Sequence, residues 1–272
     1  MKTEITIDSD KDALYKQRKK WAENIQANRD VWSKGLSVWS LDHLFTGFPA
    51  VVVGAGPSLK KNASLLSECR FPIFCTDRAV QMIDVTPQFV VVADDSDAVA
   101  DFFTGCNTRK MILLCPVHVS PDVLKHKWAK IRWYGVRDVS DGFVGVAKAI
   151  KEINPDMNFI DQCYIVGNAA YIFAKYAGCE PITFIGNDLA YEEKPDGTHI
   201  EVEWEEKIYY TDPAYMAAFQ WLSKFMIKQN FEAYNSSEAG VMFTPRIKDI
   251  KFSEFVEKFQ PQRAFSSKLN QV

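Results

Sequence analysis

The sequence predicts an α/β fold, a Rossmann-like, doubly wound and mostly parallel sheet with an N-terminal helical extension. Two observations predict it. Short, continuous apolar runs recur along the chain, as is typical of strands covered on both faces of a parallel sheet. Helical segments lie between most of these runs, and this alternation favours a doubly wound sheet. The 272 residues are 47% hydrophobic, which suffices for one large domain with additions.

The N-terminal region, about residues 10–35, reads as a charged helix. Its apolar residues Leu14, Trp21, Ile25 and Trp32 are spaced by seven and four, so they form a stripe along one side of the helix. Such a stripe packs either on the main domain or on a partner subunit. The second alternative predicts a homo-oligomer formed through this helix.

The regular elements that follow are predicted from apolar runs and helical spacing. Strands are expected at Ala50–Val53, Ile73–Thr76, Phe89–Ala93, Met111–Cys115, Ile131–Tyr134, Ile182–Ile185 and Phe231–Tyr234. Helices are expected at Leu59–Glu68, Arg78–Ile83, Ala169–Ala177 and around Tyr215–Met226. Residues 186–212, rich in Gly, Pro, Asp, Glu and Tyr, are predicted to form a long loop.

These elements divide the chain into three predicted parts. Residues 1–45 form the helical extension, residues 46–250 the nucleotide-binding domain, and residues 251–272 a C-terminal helix and tail.

Composition excludes several classes of protein. The net charge of −3 and pI near 5.9 give no basic field for nucleic acid. Six cysteines without a CxxC pair argue against a zinc site and a disulfide framework. The polar N-terminus lacks an apolar signal core, and no apolar run approaches the roughly 20 residues of a membrane span. We therefore expect a cytoplasmic protein without a membrane span.

The segment "GAGPS", residues 54–58, is the first candidate binding motif. Gly54 and Gly56 follow a predicted strand, Pro57 suits a first helical turn, and Ser58 is expected to cap the helix. A glycine turn at a helix N-terminus is a common anion-binding site. The segment is neither a complete GxGxxG fingerprint nor a Walker A loop, so a plain tight turn is the alternative.

Acidic residues follow the next two predicted strands. Asp77 either caps the following helix or accepts a hydrogen bond from a ribose or sugar hydroxyl. Asp94 and Asp95 either cap a helix or hold Mg²⁺ beside a phosphate, since carboxylate oxygens suit that cation. Asp94 is the preferred inward-facing candidate because it is the first polar residue after the strand.

Polar residues of the second half of the chain supply the remaining candidates. Asn187 and Asp188 follow the strand Ile182–Ile185, and His199 is a candidate general base or an ordinary loop histidine. The others are expected to be substrate- or nucleotide-binding, or to serve packing: Gly167, Asn168, Asn235, Ser236 and Ser237.

The order of these motifs resembles the MptE-like family over about residues 40–245. The segments that carry the resemblance are "PAVVVGAGPSLKKNASLL", "PQFVVVADD", "AGCEPITFIGNDLAY…DGTH" and "YNSSEAG". The family includes archaeal 6-hydroxymethylpterin diphosphokinases and bacterial motility accessory factors, which are similar to nonulosonate transferases. The "GAGPS" turn also resembles the "GNGPS" turn of a bacterial sialyltransferase family, where it contacts a cytidine nucleotide.

The resemblance implies roles for individual residues. It implies Gly54, Gly56, Pro57 and Ser58 at the nucleotide phosphates or ribose. It also implies Asp94 near the nucleotide or metal, and it puts three residues on the acceptor or donor-sugar side: Asn168, Asp188 and His199. Asn187 departs from the glutamine often found in relatives.

Three functions follow as expectations. The first is glycosyl transfer from a CMP-linked acidic sugar, with Asp188 and His199 as catalytic residues and no metal requirement. The second is pyrophosphoryl transfer from ATP to a hydroxymethylpterin, with Mg²⁺ on Asp94 and Asp95. The third is a nucleotide-binding module without catalysis. The partners in the first two are a nucleotide donor and a small-molecule or glycan acceptor.

Overall fold

The protein's structure is a computed structural model that describes residues 17–137, 144–161, 163–204, 207–261 and 265–269. Nine strands form one sheet, and two more form a separate hairpin. The strands of the large sheet are β1 (Ala50–Val53), β2 (Ile73–Thr76), β3 (Phe89–Val91), β4 (Ile112–Pro116), β5 (Lys130–Arg137), β6 (Phe159–Asp161), β7 (Ile182–Ile185), β10 (Ala233–Asn235) and β11 (Ile247–Asp249). The hairpin strands are β8 (Ile200–Trp204) and β9 (Lys207–Thr211).

Helices connect these strands. The α-helices are α1 (described over residues 17–27), α2 (Arg29–Trp32), α3 (Leu59–Asn62), α4 (Pro121–Leu124), α5 (Val144–Ile153), α6 (Val166–Tyr176), α7 (Pro213–Gln229), α8 (Phe252–Phe259) and α9 (Ser266–Leu269). Short 3₁₀ helices lie at Val38–Leu41, Ala63–Glu68, Arg78–Met82, Asp97–Phe103 and Thr108–Lys110. None of the helices in the described ranges is long and apolar enough to cross a bilayer.

The strand order of the large sheet is β11-β10-β7-β1-β2-β3-β4-β5-β6, and every adjacent pair is parallel. The chain therefore builds outward from β1 to β6 and then returns to the other side of β1 with β7. In a doubly wound sheet this reversal leaves a crevice at the carboxyl ends of the two strands. The predicted doubly wound fold is confirmed, and its switch point lies between β1 and β7.

Burial on both faces explains the continuous apolar runs. Along β1, Ala50 and Val52 pack into one hydrophobic cluster, and Val51 and Val53 pack into the cluster on the other face. All four side chains are fully buried. Because neither face meets water, the strand needs no polar alternation.

The N-terminal helical region packs against the sheet domain of the same chain. Trp21 and Trp32 are buried, and Trp32 belongs to one of the two core clusters, with Ile25 packed against it. Asn24 Nδ2 donates to His118 O at 3.0 Å and Asn28 Nδ2 donates to Val119 O at 2.8 Å, which fixes the helix to the end of β4. Trp21, Ile25 and Trp32, the described part of the apolar stripe, thus pack within the chain. Leu14 lies outside the described residues.

The segment predicted as a loop, residues 186–212, is partly regular. It contains both strands of the antiparallel β8–β9 hairpin, which pairs Ile200 with Thr211. The prediction of a long loop was wrong for β8 and β9, because strand-forming residues alternate there with charged ones. The sequence patterns also missed the edge strands β6 and β11, which are only three residues long each.

Candidate nucleotide-binding cleft at the switch point

A cavity of about 840 Å³ opens at the carboxyl edge of the sheet. Its lining comes from the segments that follow β1, β2, β3, β6 and β7, together with residues of α1 and α7. The cavity therefore lies where a doubly wound sheet binds its ligand.

The glycines of the β1–α3 turn allow its backbone to lie close to the turn that follows β7. Gly54 N donates to Ile185 O at 2.9 Å, and Gly56 N donates to Gly186 O at 2.7 Å. A Cβ on Gly56 would lie 2.7 Å from both Gly186 O and Asp188 Oδ2, which is too close for a real side chain. The lack of side chains is thus required for packing across the switch point. Both amides already bond to acceptors of the chain itself.

Ser58 was predicted to cap the following helix, but it does not. Its side chain makes no capping bond, and its hydroxyl instead donates to Asp188 Oδ1. The Ser58 amide donates to Asp188 Oδ2 at 2.8 Å. The anion at this turn is therefore the carboxylate of Asp188, which is 4% exposed. Burial raises the pKa of Asp188, and the two bonds from Ser58 oppose that shift.

The side chain of Asn187 links the carboxyl ends of β1 and β7. Its Nδ2 donates to Val52 O at 3.1 Å and to Ile185 O at 3.0 Å. A Cβ on Gly167 would lie 2.5 Å from Asn187 Oδ1, so the glycine at the start of α6 makes room for this amide. Gly167 and Asn187 both line the cavity.

Asp77 lies at the carboxyl end of β2 and is 8% exposed. Its Oδ1 accepts a hydrogen bond from Arg78 N at 2.7 Å, as the capping alternative predicted. Burial, strengthened by the nearby charge of Asp94, raises the pKa of Asp77 to about 6. A buried carboxyl group that titrates near neutrality thus borders the cavity.

Asp94 and Asp95 also line the cavity but are more exposed than Asp77. Asp94 Oδ1 accepts from Ser96 N at 2.8 Å, and burial together with the charge of Asp94 raises the pKa of Asp95. Within the described ranges, no group of three or more His, Cys, Asp or Glu side chains is arranged to hold a metal ion. Two carboxylates could still hold Mg²⁺ if substrate phosphates and water completed its shell.

The N-terminal helix supplies a wall of the cavity that the sequence patterns did not reveal. Gln17 and Trp21 line it, and the Trp21 ring stacks on His118 with centroids 4.0 Å apart and planes 10° apart. Burial lowers the pKa of His118 to about 3, so this imidazole stays neutral. Only the apolar spacing of α1 hinted at Trp21, and that spacing predicts packing rather than a site.

Six candidate residues from the sequence do not line the cavity: Ser58, Asn168, His199, Asn235, Ser236 and Ser237. Asn168 Nδ2 donates to Cys163 O at 2.8 Å and to Ala218 O at 3.0 Å, so it joins α6 to α7. His199 lies before the β8–β9 hairpin, with Nε2 3.5 Å from Glu201 Oε1. Asn235 and Ser236 are buried at the end of β10, and Asn235 donates to Asp249 Oδ1 at 3.0 Å.

The charges around the cavity are mostly negative. The described lining residues supply one guanidinium, that of Arg78, and six carboxyl groups, those of Asp77, Asp94, Asp95, Asp161, Asp188 and Glu192. Three of these acids have partners in the chain. Asp188 bonds to Ser58, Asp161 Oδ1 lies 3.2 Å from Arg137 Nη1, and Glu192 Oε1 lies 2.6 Å from Lys60 Nζ.

Comparison with solved structures supports the fold. The structure resembles the MAf glycosyltransferase from Magnetospirillum magneticum AMB-1 with a TM-score of 0.65 and 15% sequence identity. The match covers 87% of this chain and 40% of the other, so this chain spans less than half of that protein's length. A search of curated proteins found no match.

A family model described as "6-hydroxymethylpterin diphosphokinase MptE-like" matches residues 19–194. The match begins in α1, includes β1 to β7, and ends just after the Gly186–Asp188 turn. It therefore contains both sides of the switch point and most of the cavity lining. The resemblance noted in the sequence is confirmed, and the chain belongs to the MptE-like family.

Proposed function

We propose that this protein is a nucleotide-dependent transferase that binds its donor in the switch-point cavity. The observation that carries the proposal is the position of that cavity, at the carboxyl ends of β1, β2, β3 and β7. Open α/β sheets bind nucleotides at this place. A volume of about 840 Å³ suffices for a nucleotide together with a second small molecule.

The first candidate reaction is glycosyl transfer from a nucleotide-linked sugar. Carboxylates accept hydrogen bonds from sugar hydroxyls, and the cavity offers several of them. Tyr164, Tyr191 and Tyr215 add aromatic surface to the lining. The similarity in structure to the MAf glycosyltransferase favours the same reaction. The phosphate or the carboxylate of a CMP-linked acidic sugar would have to contact Arg78, which supplies the one guanidinium among the described lining residues.

The second candidate reaction is Mg²⁺-dependent pyrophosphoryl transfer from ATP to a hydroxymethylpterin. The acidic lining favours this reaction. A bridging divalent cation would reduce the electrostatic repulsion between a polyphosphate and the carboxylates of the lining. Asp94 and Asp95 are adjacent in the lining and are the proposed ligands. The description of the family model agrees with this reaction.

Calorimetric titration with CMP, CTP, ATP and GDP, each with and without Mg²⁺, separates the candidates. Cytidine nucleotide binding without metal supports glycosyl transfer, and ATP binding that requires Mg²⁺ supports pyrophosphoryl transfer. Arg78→Ala is the site variant, and Arg109→Ala is its control because Arg109 is exposed outside the cavity. Absence of binding by all four nucleotides would overturn the proposal and leave a module without catalysis.

A further inference from the structure

We propose that Asp77 is the general base that takes the proton of the acceptor hydroxyl. This inference rests on the proposed transferase function and deepens it. Both candidate reactions begin with attack by a hydroxyl oxygen, so both need a proton acceptor inside the cavity. His199, the base predicted from the sequence, is not part of the cavity lining.

The other carboxyl groups of the lining are less suited to this role. Both oxygens of Asp188 accept hydrogen bonds from Ser58. Asp161 and Glu192 form exposed ion pairs with Arg137 and Lys60 respectively. Each of these three carboxyl groups therefore already has a partner within the chain.

Asp94 and Asp95 differ from Asp77 in exposure. Asp94 is exposed and accepts from Ser96 N, and Asp95 is only half-buried beside it. Both carboxyl groups are therefore more open to water than that of Asp77. Their position suits contacts with ribose or with a cation better than proton transfer.

Asp77 combines burial, access to the cavity and the lack of a counterion. Its residue is 8% exposed and lines the cavity at the end of β2. Among the residues that the structure describes, it forms no ion pair within 4.0 Å, and its one hydrogen bond comes from Arg78 N to Oδ1. Oδ2 is therefore free to accept a proton from a bound hydroxyl.

The ionisable groups around Asp77 come from four elements. Cys75 lies on β2 itself, Arg78 begins the following 3₁₀ helix, Asp94 follows β3, and Tyr134 reaches in from β5. Burial raises the pKa values of Cys75 and Tyr134, so both stay neutral near pH 7. Asp94 raises the pKa of Asp77 and Arg78 lowers it, while burial is the larger effect.

The proposed step balances in the same way for either donor. The acceptor hydroxyl gives its proton to Asp77 Oδ2 while its oxygen forms a bond to the electrophilic centre of the donor. That centre is the anomeric carbon of a nucleotide sugar or the β-phosphorus of ATP. Its bond to the leaving phosphate oxygen breaks, and the electron pair leaves with CMP or AMP. Asp77 later returns the proton to water.

The test uses hydrolysis of the donor, with water as the acceptor, by the whole protein. CMP-linked sialic acid and ATP with Mg²⁺ are the two donors, and the turnover rate is measured from pH 5 to pH 8. We expect the rate to rise with pH around 6, where Asp77 becomes ionised. In Asp77→Asn the rate should fall by about 100-fold or more and lose this pH dependence. Asp77→Glu should restore part of the rate.

The control is Asp84→Asn, which removes an exposed carboxylate close in sequence that does not line the cavity. It should keep both the rate and the pH profile. Nucleotide binding by Asp77→Asn is measured by calorimetry in parallel. Normal turnover in Asp77→Asn would overturn this inference and leave the transferase proposal intact. Absence of nucleotide binding and of turnover in the wild type would overturn both.

Discussion

Asp188 and Ser58, 130 positions apart in the sequence, hold the two sides of the switch point together. The carboxylate of Asp188 accepts from the amide of Ser58 at 2.8 Å and from its hydroxyl. Ser58 follows β1 and Asp188 follows β7, the strands between which the sheet reverses direction. The residue expected to act on the substrate is therefore also a structural tie between two turns.

The first prediction concerns the strength of this tie. Asp188→Ala removes both acceptors and leaves a buried donor of Ser58 unpaired, so it should lower the free energy of unfolding by about 1–3 kcal/mol. Ser58→Ala should lower the free energy of unfolding by a smaller amount, because the amide can still donate to Asp188. Urea denaturation of both single variants and the double variant measures the coupling between them. Strictly additive effects would show that the two side chains do not stabilise each other.

The second prediction concerns Gly56. A Cβ there would clash with the carboxylate of Asp188 and with the carbonyl oxygen of Gly186. Gly56→Ala should therefore destabilise the protein by about 1–3 kcal/mol, as overpacking does elsewhere. Thermal unfolding measures the change, and Ala55→Ser is the control because Ala55 faces the cavity. An unfolding midpoint equal to the wild type would contradict the close approach. Loss of nucleotide binding in a Gly56 variant would not by itself identify a nucleotide contact.

The sequence predicted the centre of the sheet well and its edges poorly. Three strands, β1, β2 and β7, have the predicted bounds because each is a largely apolar run followed by a glycine or an aspartate. The edge strands β6 and β11 are short and partly exposed, so they carry little apolar signal. Edge strands pair on one side only and need fewer buried side chains.

The sequence predicted the position of the candidate site, at the carboxyl ends of the strands, but not the contacts between its side chains. The rule that ligands bind at strand ends correctly predicts that one cavity is lined by Gly54, Asp77, Asp94 and Asp188. It cannot tell which polar groups bond to each other, because the partners are far apart in sequence. The stack of Trp21 on His118 is a further example, since nothing in the local sequence of either residue indicates it.

The third prediction concerns Arg78, which supplies the one guanidinium, beside six carboxyl groups, in the part of the lining that the structure describes. Arg78→Ala should weaken the binding of nucleotide phosphates about tenfold or more, since hydrogen bonds to charged groups contribute about 1.5–3 kcal/mol. Arg109→Ala should bind like the wild type. Calorimetry at low and moderate salt measures both variants. Equal losses in the two variants would indicate a general effect of charge and not a contact in the cavity.

The fourth prediction follows from the raised pKa of Asp77, which lies at about 6 in the folded protein against an ordinary value of 3.8. The folded state holds this proton more tightly than the unfolded state, so the stabilising contribution is complete below pH 3.8 and is lost as the pH rises through 6. Asn is neutral at every pH and can still accept from Arg78 N. Asp77→Asn should therefore be more stable than the wild type by about 1–3 kcal/mol at pH 7.5 and should lose most of this gain by pH 4.

Urea denaturation of the wild type and of Asp77→Asn at both pH values measures this difference. Acid destabilisation by other groups affects both proteins alike and cancels in the comparison. A variant less stable than the wild type at pH 7.5 would show that the carboxylate of Asp77 has a structural partner and is not poised as a base. A more stable variant that has lost turnover would instead show that the buried charge is kept at a cost to the fold. Such a cost is expected of a group that serves catalysis and is not expected of one that serves packing.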